Sequence, residues 1–388
     1  MLMAVLLTAG LVSIIPSCSE KPLSSNDPLP NALNRSSPST GTVVGTGNNI
    51  SADGMLSINI PLPPPPHNYR EHLFYIGSQF EGTVKIFSAD DRAFVDSLYF
   101  PSSDGVRIEV IGRNEKLLVN TSDGCFLYDL RTGRTSHPFG NAAEATISPD
   151  CKMVILQLPV SNPYYKRLEL RRFDTFQLIY QDSICYGPEF SMDSRYISYS
   201  LPITWPNWPL VTYDILENRI VERVQKRLGG QPLAIVEVVP IGSRGKTYSY
   251  GLCNGIGILA VSDFGSNDVR PLMTLPENEA YFIPSNDEAR LFVTTPPPAW
   301  GYPCQKIYIY DVATEIQTAV ITISNHEPFH LTASFDGRYL ITGSAMPFWN
   351  NIALIDLRDA VQIGSFLFSK QNSIFPYNIA TRSWRRGR

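Results

Sequence analysis

The 388-residue chain is short of charge: Asp, Glu, Lys and Arg make up 18% of it, and the formal net charge is −4. Nucleic-acid binding needs a concentrated basic surface, so this balance offers no reason to expect such a partner. The basic residues near the C-terminus, Arg382, Arg385, Arg386 and Arg388, read as a solvated end. Histidine is scarce, at five residues. Cysteine is hardly richer, at six residues, and its spacing shows no C-x-x-C, no zinc pattern and no haem-attachment motif. Apart from Cys18, the cysteines are Cys125, Cys151, Cys185, Cys253 and Cys304. Their odd number excludes a complete disulfide framework, and they are expected to be mostly small buried apolar residues. The sequence has no G-x-S-x-G, which argues against a serine-hydrolase domain. Gly251 to Gly257 (GLCNGIG) has no following helix, so hairpin turns explain its glycines better than a phosphate loop. No cofactor is expected from these patterns.

What the chain does have is 43% hydrophobic residues, with 19 Tyr, 19 Phe and 31 Pro, a bias towards strands and turns. Long Ala, Leu, Glu and Lys runs are missing. Beyond residue 70 the chain repeats itself. A strand ending near Ser or Asp, then a turn, then another strand, recurs at Ser88, Asp129, Asp174, Asp214, Asp263, Asp311 and Asp356, with successive anchors 40 to 49 residues apart. Asp suits such a turn because its carboxylate accepts backbone N–H groups. A second turn precedes several anchors: Ser148-Pro149-Asp150, Ser191-Met192-Asp193, Ser285-Asn286-Asp287 and Phe335-Asp336-Gly337. Each of these leads into an apolar run, at 153–158, 196–200, 291–294 and 339–342.

Four strands per period of that length make a propeller blade. The pattern resembles the WD40-like and YVTN-type propeller repeats. The run beginning ASFDGRYLITGS and ending NNIALIDLRDAVQIGSFLF carries the likeness best, although no blade has the Trp-Asp dipeptide. The resemblance implies an all-β β-propeller over residues 69–380, with about seven four-stranded blades, and specifies a fold rather than an activity. The first repeat starts at Leu73 on what reads as a second strand. The strand-like run Ser373 to Ala380 is expected to supply the missing one and close the ring.

Residues 1–17 (MLMAVLLTAGLVSIIPS) carry an apolar stretch too short to span a bilayer comfortably but fitting the core of a signal peptide. The following Ile15-Pro16-Ser17-Cys18 resembles a bacterial lipobox, which implies lipid attachment at Cys18 and an exported, membrane-anchored protein facing the periplasm or the cell exterior. Pro16 is unusual in that box, and the leader lacks the customary Lys or Arg. Residues 18–68 are rich in Ser, Pro and Asn and end in a proline run, the composition of a tether. Residues 381–388 form the basic tail.

The loops joining second to third strands should emerge on one face together with the connections between blades. Four of them are enlarged and hold Tyr164, Tyr165, Trp205, Trp208, Trp300, Tyr302, Phe348 and Trp349. Trp and Tyr give rigid amphipathic contact area, and proline lowers the entropy lost on ordering, so these are the candidate ligand-binding residues. They could equally fold down over their own blades. His326-Glu327-Pro328-Phe329-His330 matches H-E-x-x-H by letters. That motif works on a helix, and Pro328 in its middle together with the repeat period places it before a strand. Only a weaker metal site at His326 and His330 is left from it. The expectation is a non-enzymatic, monomeric binding or scaffold protein of the cell envelope whose partner is a protein, peptide or glycan. The alternative is a propeller hydrolase or lactonase-like enzyme with a metal at the channel mouth.

Overall fold

Second and third strands of the repeats are almost continuously apolar, the pattern of strands covered on both faces. Leu210–Asp214 and Tyr339–Gly343 are buried throughout. The computed structural model describes residues 72–381, except 79–80, 103–104, 112–114, 162–164, 204, 276–279, 295–305, 324–329, 335, 344–350 and 369–375. Over 376–381 the description is of backbone alone. The described residues form an all-β propeller of seven antiparallel four-stranded sets, numbered here as blades 1 to 7.

Blade 2 runs Arg107–Ile111, Lys116–Thr121, Gly124–Asp129 and Thr135–Ser136 from the centre outwards. Blades 5, 6 and 7 repeat that order, with innermost strands Ala234–Ile241, Tyr281–Pro284 and His330–Ala333. Blades 3 and 4 share one long strand, Leu178–Phe190. Up to Cys185 it is the outer strand of blade 3, paired with Lys166–Arg172, and from Tyr186 it is the inner strand of blade 4, paired with Tyr196–Ser200. Blade 1 takes its innermost strand from the far end of the chain: Pro376–Thr381 pairs antiparallel with Leu73–Ser78. The expected closure is therefore present. The Pro376–Thr381 strand lies against the innermost strands of both blade 2 and blade 7.

Turn chemistry explains why the units repeat. Ser148, Ser191, Ser285 and Ser334 each donate a hydroxyl to an Asp two residues on, at 2.5–2.7 Å, and each accepts an N–H from the strand beyond. The residue after that Asp is left-handed in every case: Cys151, Ser194, Glu288 and Gly337. Only Gly337 adopts that conformation without a Cβ penalty, so the other three turns are held against mild strain by their hydrogen bonds. At the other turns, Asp129, Asp214, Asp311 and Asp356 each accept backbone N–H groups two or three residues on, as expected.

The core sits between blades. Phe74, Ile76 and Phe87 of blade 1 pack with Tyr339, Ile341, Ile352 and Leu354 of blade 7. Phe292 and Ile309 of blade 6 pack with Leu331, Leu340 and Ala353 of blade 7. A fully buried side chain of this kind stabilises by about 1.5–3 kcal/mol, and only the neighbouring blade can cover it. The blade 7–blade 1 joint carries a polar clasp as well. His72 Nδ1 lies 2.8 Å from Asp90 and Nε2 2.9 Å from Asp336. Burial opposes a charged ring there, but both carboxylates raise its pKa above the ordinary value.

Among the described residues, Cys125, Cys185 and Cys253 are buried free thiols, as the spacing suggested, while Cys151 is only partly buried. Cys18, Cys304, the leader, the tether and the basic tail beyond Thr381, itself the end of the closing strand, lie outside the described residues.

Candidate functional site

Innermost strands of a propeller turn one edge to the axis, so their polar side chains and backbone groups meet in the middle. Here they enclose a central cavity of about 690 Å³, within the usual range of about 300–1,000 Å³ for ligand sites. The strands alternate. In Arg107–Ile111 and Glu144–Ile147 the first and third residues are accessible and the second is buried. That alternation sends Arg107, Glu109, Glu144 and Thr146 to the cavity wall while Ile108 and Ala145 enter the core. Val236, Val238 and Val239 of blade 5 and Phe282 of blade 6 give the wall an apolar side, with the Glu237 carboxylate among them.

The first residues of these strands mark the end of the cavity on the loop face. Arg107 of blade 2 forms an ion pair there with Glu144 of blade 3. Lys166, which opens the third strand of blade 3, and Tyr186 also line the wall. Deeper in, Glu109 accepts the Ile147 N–H on Oε2 at 2.8 Å, satisfying one of the open strand-edge donors. Burial pushes the Glu109 carboxyl up to about 8 despite that hydrogen bond, and the charges of Glu189 and Glu144 push the same way. Glu189 is pushed up to about 7, again chiefly by burial, with Arg107 opposing. Both carboxyls contact the cavity over appreciable area, Glu189 the more so. The blades packed around them limit the water that solvates a charge there, and so the charged forms are disfavoured. His330 is driven down to about 3, by burial first and then by the Arg107 charge, and is neutral. The Cys185 thiol beside the cavity is pushed up to about 12 by burial, which makes it a poor nucleophile.

Three of the aromatic candidates are described, and they lie at this same end. Tyr186 is opposite Ser200, the last residue before the 201–209 loop. Its ring meets Trp208 at 5.6 Å between centroids, and Trp208 meets Trp205 edge-on at 5.8 Å. Trp208 is half-buried, whereas Trp205 is 51% exposed. Tyr165, half-buried, immediately precedes Lys166. Trp208 thus folds onto the blade, while Trp205 is presented to solvent.

Tyr164, Trp300, Tyr302, Phe348 and Trp349 lie outside the described residues, as does His326. His330 opens the innermost strand of blade 7 and packs on Tyr281 at 5.4 Å, so the H-E-x-x-H letters end in a strand. Among the described residues no three His, Cys, Asp or Glu side chains gather closely enough to hold a metal ion.

Sequence reading passed over Arg107, Glu109, Glu144, Gln157, Lys166, Tyr186 and Glu189. The signal for some of them was available. A polar residue recurs at the first and third positions of the innermost strands of blades 2, 3 and 7: Arg107 and Glu109, Glu144 and Thr146, His330 and Thr332.

No protein-family profile matches the chain, and no curated protein matches it. Among solved structures it is similar to the dihydro-heme d1 dehydrogenase NirN in complex with DHE. The TM-score is 0.56 and the identity 13%, over 86% of this chain and 81% of that one. At such identity the likeness supports a propeller fold alone, and the activity and ligand of that protein stay with it.

Proposed function

We propose that this chain is a binding protein of the cell envelope that seats its ligand at the loop-face mouth of the central cavity. One observation carries the reading: the aromatic series Trp205, Trp208, Tyr186 runs from an exposed loop to the cavity wall. An aromatic rim leading into a polar-apolar cavity is how binding sites for extended ligands are commonly built. The leader, Cys18 and the tether would hold the propeller on a short leash at the membrane, where a protein, peptide or glycan partner would meet it.

Trp205 makes its contact at the surface, so removing it together with Trp208 should harm binding more than folding. Screening the purified protein on peptide and glycan arrays should give ligands that Trp205→Ala/Trp208→Ala binds at least tenfold more weakly. Thermal unfolding of the variant should move by only a few degrees. Equal binding by the two proteins, with a large loss of stability in the variant, would mean that the tryptophans serve only to cover blade 4.

A further inference from the structure

Gln157 lies in the second strand of blade 3, directly opposite Glu144 in the register, and lines the cavity. It is only 8% exposed. Its side-chain amide, which can donate and accept, makes no hydrogen bond to the described residues. Its amide is not sealed from the cavity it lines, so it is free to donate to and accept from a molecule seated there.

The charges around it select what that partner can be. Arg107 is already matched by Glu144. An anion entering the cavity would approach Glu144, Glu109, Glu189 and Glu237, and a cation would approach Arg107 and Lys166. Neither ion gains a field of one sign. Burial also keeps Glu109 mostly protonated at neutral pH and Glu189 only partly ionised. Against these polar groups stand Val236, Val238 and Phe282, an apolar wall, and at the mouth the rings of Tyr186 and Trp208.

Resting on the binding reading above, we infer that the cavity takes the end unit of a neutral saccharide, with Gln157 hydrogen-bonding its hydroxyls and the aromatic mouth stacking on the next unit. A sugar hydroxyl both donates and accepts, so it pairs with an amide, an ion-pair edge or a carboxyl in either protonation state. The C–H face of a sugar ring suits the apolar wall and the aromatic rings, and its neutrality avoids the desolvation that an ion would suffer here.

The test is titration calorimetry of the full purified chain at pH 7, with a panel of neutral oligosaccharides and with spermidine and citrate as charged probes. Trp fluorescence gives a second readout at the mouth. A neutral oligosaccharide should bind, and Gln157→Ala should weaken it at least tenfold while Trp205→Ala weakens it less. Circular dichroism of Gln157→Ala checks its fold, and Gln157→Asn, which keeps the amide on a shorter arm, should fall between the two. Spermidine or citrate binding in a Gln157-dependent way, with no saccharide bound, overturns the ligand class and leaves the cavity reading standing. Saccharide binding that depends on Trp205 and Trp208 but not on Gln157 overturns insertion into the cavity. Absence of binding by every probe overturns the inference.

Discussion

Glu109 satisfies the Ile147 N–H at the price of sitting where a negative charge is poorly solvated. The consequence for stability has a definite sign. In the unfolded chain a Glu ionises near pH 4.5, whereas the folded protein keeps this proton up to about 8. Over that window the folded state holds more protons than the unfolded one, and stability falls as pH rises. Glu109→Gln keeps the acceptor and removes the titration. It should match the parent at pH 5 and be more stable at pH 8.5, by about 1 kcal/mol once screening within the polar cavity is allowed for. Thermal melts across pH 5–9 would show it, and parallel curves for the two proteins would refute the buried-carboxyl account. At this scale the sequence was half legible. Trp205, Trp208 and Tyr165 stood out because aromatic residues in proline-rich loops are conspicuous. Glu109, Glu189 and Gln157 did not, since a lone polar residue in a strand looks the same whether it faces solvent or the axis of a ring.

At the scale of elements, the joint between blades 4 and 5 is built differently from the others. A two-residue hairpin, Arg227–Leu228 with Gln231–Pro232, intervenes there. Lys226, just before it, is fully buried with Glu222 at 2.7 Å, and its Nζ also donates to the Ser266 carbonyl at 2.7 Å. Glu222 accepts in turn from Thr212 Oγ1 at 2.7 Å and from the Gly265 N–H at 3.0 Å. The pair ties the outer strand of blade 4 to the loop between the third and fourth strands of blade 5. Removing one member leaves the other as an uncompensated buried charge. Lys226→Met should therefore cost about 3–5 kcal/mol, and Lys226→Met/Glu222→Gln should recover part of that loss. Urea melts of the two variants decide it; equal losses in both would show that the charge pairing is immaterial. Nothing local announced this lock, because Lys226 sits in a basic run that reads as solvated surface and its partner Ser266 lies far along the chain. The Ser and Asp turns were legible for the opposite reason: their hydrogen bonds close within a few residues, so the sequence carries the whole device.

For the molecule as a whole, the closing strand decides whether the blades stand together. A single blade cannot cover its own apolar faces, and each inter-blade core therefore depends on both neighbours being in place. In an open array the terminal blades would fray, but here Pro376–Thr381 supplies the inner strand of blade 1 through five residue pairs with Leu73–Ser78. At about 1 kcal/mol per pair, ending the chain at Phe368 should remove about 5 kcal/mol and expose a sheet edge. The effect should not stay local, since loss of blade 1's inner strand loosens its cores with blades 2 and 7 at once. The truncated protein is expected to unfold in one transition at lower temperature. Amide protons of blade 5, remote from the cut around the ring, should exchange faster along with those of blade 1. Faster exchange confined to blade 1, with blade 5 as protected as in the full chain, would mean that the blades hold in sequence as a stack and that closure merely seals an end.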